Sequence, residues 1–410
     1  MALVITRDLA SRLFQGFSIQ RWTDRPKPVD LTEMDHAAYQ MVVAFLVGVL
    51  EEERGATINW YTVIKAGIFR LLRKLALSDI KAPVHHTIRE KYPEVYRQIN
   101  EWVYQSLGPL LPENRLRDEF HHYLLPTGSL SEDDAYGYLL AEAAHSYATY
   151  AELHQVKLLH TADPDLYEIE KQLSGDLEPF LDFAGIRQLV MKQELYELME
   201  VIDRLRYQTR WSQTPRTPST SVLGHSMFVA VISLFLSVHV DAAPRRIFNN
   251  FFGGLFHDLP ESVTRDIVAP TKRATPDLPE VIKKIENEIV NEELYPLMSE
   301  RTRVLIRYFC EREFESRVIL DGSERGSTTA EISGKYNDDS YNPIDGEIIR
   351  LADDMAAFLE AYQSIQYGIR SEVLHRGALR IKGEYLAGGG PDGIDVVEFF
   401  KQFPIEGETA

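Results

Sequence analysis

The chain has 410 residues and a formal net charge of −18, with 44% hydrophobic and 26% charged residues. That is ordinary globular material with enough apolar content for a large core, and the length suits one large domain or two ordinary ones. The acidic balance argues against duplex nucleic acid as the main partner, but leaves room for a local basic pocket around a small phosphorylated ligand. The single cysteine, Cys310, excludes an intrachain disulfide and a Cys-rich zinc site, so a reducing cytoplasm is the default.

The first segment, MALVITRDLASRLFQGF, lacks a basic region followed by a long apolar stretch and does not read as a signal peptide. Beyond it, apolar residues recur at three- and four-residue spacing, which predicts helices over 37–52, 60–77, 93–107, 136–153, 186–208, 225–238, 246–257, 277–297, 300–312 and 345–366. The apolar runs 41–50 and 228–238 are too short to span a bilayer and read as buried core helices, so no membrane is expected. The polar stretch 314–344, rich in Gly, Ser, Asn and Asp, reads as a surface loop or small hairpin. The tail from about Gly383 has a Gly-Gly-Gly-Pro turn and then a short apolar segment, VVEFF.

The chain also repeats itself. Arg21-Trp22 precedes Arg210-Trp211 by 189 residues, and His36 precedes His225 by the same 189. GIFRLLRKLALSDIKAP (67–83) parallels GLFHDLPESVTRDIVAP (254–270), YPEVYRQINE (92–101) parallels LPEVIKKIEN (278–287), and LAEAAHSYATY (140–150) parallels LADDMAAFLEA (351–361) at an offset of 211. Four blocks in one order indicate a tandem duplication. The expected organisation is all-α: a first repeat over 1–154, a helical connector over 155–195, a second repeat over 196–375 carrying the 314–344 insertion, and a tail over 376–410.

The second copy contains the chemistry. His225 opens one predicted helix, His257-Asp258 ends another just before Pro260, and Asp353 lies within a third. Adjacent side chains diverge in mid-helix but can converge where a helix stops, and three helices each giving one corner is a common way to hold a metal. Imidazole and carboxylate together suit Mn, Co, Ni, Fe, Zn or Mg.

This H…HD…D pattern resembles the HD-domain metal phosphohydrolases. With RW (210–211), GHS (224–226), LFHDLPE (255–261), RDIVAPTK (265–272) and ADDMAAFLEA (352–361), it is most similar to the bacterial 5'-deoxynucleotidases, over roughly 205–366. The resemblance implies two tandem helical HD bundles, the first degenerate. It implies that His225, His257, Asp258 and Asp353 hold one divalent cation, with Asp353 preferred to Asp354 by the Ala-Asp-x-Met match. Arg210 would contact the phosphate, Trp211 would pack on the sugar, Lys272 would offset phosphate charge, and Glu261 and Asp266 would lie beside the metal-bound water and phosphate, Glu261 to orient or deprotonate the water or protonate the leaving group and Asp266 to orient Arg or water. Four of these also have a structural use: Glu261 as a first-turn glutamate, Asp266 as a helix cap, Trp211 as a core tryptophan and Lys272 as a surface lysine. The motif stops short of HD-x-G-K, the form tied to binuclear sites, so one metal is expected. Gly224 stands where family members often carry Glu, which removes a contact.

In the first repeat Arg70 and Leu71 stand at the His257 and Asp258 positions, Lys74 replaces Glu261, and Glu142 is aligned with Asp353, while His36 is kept. That repeat is expected to be catalytically dead. It either builds within one chain the pair that family members make by dimerising, leaving a monomer with an internal pseudo-dimer or a homodimer, or it forms an anion pocket from Arg21, Arg70, Lys74 and His36. The expected activity is metal-dependent release of the 5'-phosphate from a (deoxy)nucleoside monophosphate. The alternatives are hydrolysis of a nucleoside triphosphate or other small phosphoester, and a non-catalytic nucleotide sensor.

Overall fold

The computed structural model describes residues 4–78, 80, 82–159, 163–265, 275 and 277–405. The fold is all-α. The first half contains α1 (Arg7–Phe14), α2 (Glu33–Glu53), α3 (Trp60–Leu77), α4 (Ala82–Lys91), α5 (Pro93–Leu107), α6 (Arg115–Leu124) and α7 (Glu132–Lys157). The connector carries α8 (Pro164–Leu177), α9 (Ala184–Val190), α10 (Glu194–Ile202) and α11 (Arg204–Tyr207). The second half contains α12 (Val222–His239), α13 (Pro244–Phe256), α14 (Glu261–Thr264), α15 (Leu278–Ile289), α16 (Glu300–Cys310), α17 (Gly346–Gln366), α18 (Glu372–Gly388) and α19 (Val396–Lys401). The segment predicted as one helix over 186–208 is instead α9, α10 and α11, with Lys192 at positive φ between the first two.

Helices α2 and α12 are apolar on nearly every face, which requires burial all round. They pack on each other at the centre of the molecule, each also flanked by helices of its own half. One continuous core runs through both halves. Phe45 of α2 lies among Phe248, Phe252, Phe256 and Phe309 of the second half, with ring centroids 4.8–6.3 Å away. Truncating such a residue to alanine costs about 3–5 kcal/mol. Helix α12 is in fact long and apolar enough by composition to cross a bilayer, contrary to the shorter run read from the sequence; its 94% burial inside the protein is what identifies it as a core helix.

The same junction explains Gly224. A Cβ there would come within 2.9 Å of Asp35 Oδ1 and of Phe17 Cε1. Asp35 occupies in the first half the position Gly224 holds in the second, and its carboxylate accepts hydrogen bonds from Ser221 and, at 2.6 Å, from Thr32. The space a side chain at Gly224 would need is therefore taken by residues of the other half of the chain.

The 314–344 stretch contains the antiparallel hairpin β1 (Arg317–Leu320) and β2 (Ser323–Gly326), turning at Asp321-Gly322 with both residues at positive φ. Val318, Ile332 and Tyr336 give it a small core of its own. Asn337 and Asp339 accept hydrogen bonds from the backbone N–H groups of Ala243 and Arg245 at the start of α13, and Arg246 forms a buried ion pair with Asp345 at 2.6 Å. The stretch thus braces the N-terminal end of α13, the end away from His257. Only its first residue, Phe314, has a ring near the His257 ring, at 6.3 Å. The tail contains a helix that the sequence reading missed: α18 packs on α17 through Leu374, Ala378 and Ile381, a sparse stripe among charged residues.

Candidate metal centre

The Ser221 hydroxyl caps α12 by accepting from the Gly224 N–H, which places His225 in the first turn, fully buried. Helix α13 crosses α12 closely: a Cβ on Gly254 would lie 3.1 Å from the Ala230 Cα. This brings the end of α13, where His257 is the C-cap, beside His225, with ring centroids 5.5 Å apart. Helix α17 supplies Asp353. One donor atom from each of His225, His257 and Asp353 lies within 4.8 Å of the others. His225 Nε2 is 2.9 Å from Asp353 Oδ1, and His257 Nε2 is 3.2 Å from Asp258 Oδ2 and 4.0 Å from Asp353 Oδ1. Three of the four expected ligands, His225, His257 and Asp353, thus meet; Asp258 lies outside that set, beside His257 and turned toward Arg210. Asp354 is directed elsewhere, accepting a hydrogen bond from the Tyr385 hydroxyl at 2.7 Å.

The donor set fits a cation. His257 Nδ1 donates to the Gly254 carbonyl at 2.8 Å, so Nε2 is the nitrogen presented to the cluster, where it is buried without an aligned hydrogen bond among the described residues. Burial alone would lower the His257 pKa, but Asp258 and then Asp353 override it and raise it to about 9. Burial works against the Asp258 charge, yet His257, Arg210 and His225 hold the carboxyl below its usual range; Asp353 is likewise lowered against burial by His225 and His257. Two ionised carboxylates thus draw a proton onto His257, and a divalent ion bound at His257 Nε2 would take that proton's place.

Arg210 sits beside this pocket, with Nη1 3.3 Å from Asp258 Oδ2 and Nε 3.5 Å from Glu360 Oε2. Trp211 is half-buried in a left-handed conformation, and its indole N–H donates to Glu360 Oε2 at 2.9 Å. Its ring lies against α18 near Gly377, with the Arg216 guanidinium 5.9 Å from its centre, so its visible role is structural. Glu261 opens α14 directly after Pro260, near enough to Arg210 to act on its charge. Asp266 and Lys272 lie outside the described residues.

The sequence reading missed Glu360. It is fully buried, accepts from His225 Nδ1 at 3.2 Å, from Thr220 Oγ1 at 3.0 Å and from Trp211, and lies near Arg210 and Arg216. Burial opposes its charge, but Arg216, Arg210 and His225 keep it ionised. The signal was its place seven residues after Asp353, two turns along the same helix face.

The first half reproduces this rear framework. Trp22, also left-handed, donates its indole N–H to Glu152 Oε2 at 2.9 Å; His36 Nδ1 meets Glu152 Oε1 at 2.9 Å; and Arg21 pairs with Glu152 and Glu33. Glu152 is thus the counterpart of Glu360, 208 residues earlier. At that offset the counterpart of Asp353 is His145, whose Nδ1 is 3.0 Å from His36 Nε2. The alignment of Glu142 with Asp353 is corrected by one helical turn. Glu142 instead forms an ion pair with Arg70. Arg21 and His36, tied to Glu152, are likewise not free to serve the expected anion pocket.

Residues 202–382 match the family model for the HD domain, and residues 12–162 match that for 5'-deoxynucleotidase YfbR-like proteins. The nucleotidase-like match therefore falls on the first half, although the nucleotidase resemblance in the sequence was read from the second. No curated protein matches the chain. With two tandem matches, and with His225, His257 and Asp353 of the H…HD…D pattern brought together in the second, the chain belongs to the HD superfamily of metal-dependent phosphohydrolases.

Proposed function

We propose that the second half removes the 5'-phosphate from a nucleoside monophosphate, deoxynucleotides included. The observation that carries this reading is the convergence of His225, His257 and Asp353, with Asp258 between His257 and the Arg210 guanidinium. A divalent cation held by those four residues would supply a nucleophile near neutral pH and offset charge on the phosphoryl oxygens. Arg210 offers a planar fork to two phosphate oxygens. Glu360 accepts from His225 Nδ1 and so directs Nε2 toward Asp353, while holding Arg210 and Trp211 in place. Glu261, three residues beyond Asp258 and near enough to Arg210 to act on its charge, is the residue we assign to take a proton from the attacking water or return one to the leaving 5'-oxygen. The nucleotidase-like match to the first half supports a nucleotide as substrate.

The test is phosphate release from dAMP, AMP, dATP and p-nitrophenyl phosphate, using protein stripped of metal and resupplied with each of Mn, Co, Ni, Fe, Zn and Mg. Metal-dependent turnover with preference for the monophosphates is expected. Turnover confined to dATP would replace the substrate class. Tight dAMP binding with no turnover under any metal would make the chain a sensor.

A further inference from the structure

Where the second half has its metal cluster, the first half has a cavity of about 340 Å³. Among the described residues, four permanent cations line it, Arg70, Arg73, Lys74 and Arg89, with the carboxylate of Glu142, which is paired with Arg70. This concentration of positive charge stands in a chain of net charge −18. The cations come from two elements: α3 gives Arg70, Arg73 and Lys74, and α4 gives Arg89.

Three buried nitrogens there, two of them guanidinium donors, have no hydrogen-bond partner among the described residues: Arg70 Nε, Arg73 Nη2 and His85 Nε2. Buried donors normally find acceptors, and an unmet charged one is costly. Arg73 is also held in place: its Nε donates to Asn100 Oδ1 at 3.0 Å, and its guanidinium lies 5.2 Å from the centre of the Tyr96 ring. Burial, followed by the charges of Arg73, Lys74, Arg89 and Arg70, pushes His85 down to about 4. Tyr96, Tyr123 and Leu77 add flat and apolar wall, and the volume is that of a small-molecule pocket.

We propose that this cavity is a metal-free anion site for a phosphorylated small molecule of mononucleotide size, with Arg70, Arg73 and Arg89 on the phosphate and the tyrosines beside the organic part. Arg70 stands where His257 stands in the other half, and Leu71 where Asp258 stands, so the same place in the fold holds a phosphate by guanidinium groups and has no donor set to cleave it. The proposal does not depend on the substrate assigned to the second half.

The experiment is calorimetric titration of the full chain with dAMP in excess EDTA, with deoxyadenosine and inorganic phosphate as further arms. One EDTA-insensitive equivalent of dAMP is expected, displaced by inorganic phosphate, weakened by added salt, and absent for deoxyadenosine. Arg73→Gln and Arg89→Gln should each weaken it about tenfold or more, as loss of a charge-assisted contact to phosphate does. Arg89 is exposed, so its variant tests the site without threatening the fold. Arg210→Gln separates the halves: it should leave this equivalent intact. No binding in EDTA, unchanged affinity in both the Arg73 and Arg89 variants, or loss of the equivalent in Arg210→Gln would overturn the proposal.

Discussion

The two halves place the same histidine in the same setting and differ in what faces it. Behind His36 and behind His225 lies a buried glutamate that also accepts the indole N–H of a left-handed tryptophan, at 2.9 Å in both halves. In front, His225 faces Asp353, His257 and Asp258, whereas His36 faces His145, with Arg70 and Leu71 at the remaining places. The rear contacts hold buried charge and hold the fold, so they survive loss of chemistry. The front contacts have no structural task that other residues cannot perform. The comparison therefore separates residues kept for stability from residues kept for a ligand.

The strongest break in that comparison comes from the front. Replacing His257 and Asp258 together by alanine should reduce bound metal from about one equivalent to near zero and lower metal-dependent phosphate release by roughly a thousandfold or more, since the cation supplies nucleophile and charge compensation together. Metal analysis alongside a phosphate assay measures both. Full activity in the double variant would remove the assigned centre.

The rear should behave differently in the two halves. Glu360→Gln should lower metal affinity or turnover by about 10–100-fold, the usual cost of losing a carboxylate behind a ligating histidine. Glu152→Ala should leave phosphate release near wild type but cost about 3–5 kcal/mol in denaturant unfolding, because it strands the buried Arg21 against Glu33 alone. Equal catalytic losses from the two changes would mean that the halves are coupled rather than divided in role.

How much of this was legible in sequence depends on what kind of signal each residue left. His225, His257, Asp258 and Asp353 stand out because polar residues interrupt apolar helices; the fold brings His225, His257 and Asp353 together and leaves Asp258 beside His257. The duplication was readable from Arg-Trp and His at one offset. Register within the last repeated helix was not. A shift of three residues keeps apolar positions on nearly the same helix face, so the apolar pattern fits offsets of 211 and 208 almost equally well. Only the hydrogen bonds of Glu152 and His145 select 208. Glu360 escaped notice for a related reason: a glutamate late in a long helix reads as surface, and its burial is set by Thr220, Trp211 and Arg216 arriving from a distant loop. Helix α18 was missed because three apolar residues suffice once α17 covers them.

The corrected register makes a constructive test possible. Arg70→His, Leu71→Asp and His145→Asp together would copy the front of the second half onto the retained rear of the first. Removing Arg70 leaves Glu142 without its partner, but that side chain is 47% exposed and can be solvated. Bound metal should rise from one to two equivalents per chain. A value that stays at one would show that the rear framework alone does not position a ligand set.

The smallest expected effect is a pH dependence located in the first half. Burial, then the charges of Arg70 and His36, hold His145 well below its ordinary 6.5, so it is neutral in the folded chain. Its unfolded form takes up a proton as pH falls through about 6.5, while the folded form does not. Stability from this group is therefore fully present above 6.5 and is lost as pH drops from 6.5 toward the folded value, at up to about 1.4 kcal/mol per pH unit. His145→Gln removes the titrating group and should flatten the fall in denaturant-unfolding free energy between pH 6.5 and 5, measured on metal-loaded protein so that the second half stays fixed. An unchanged slope in the variant would place the acid sensitivity elsewhere, with His36 beside Arg21 and Glu152 the next group to test, since burial and then Arg21 lower it in the same direction.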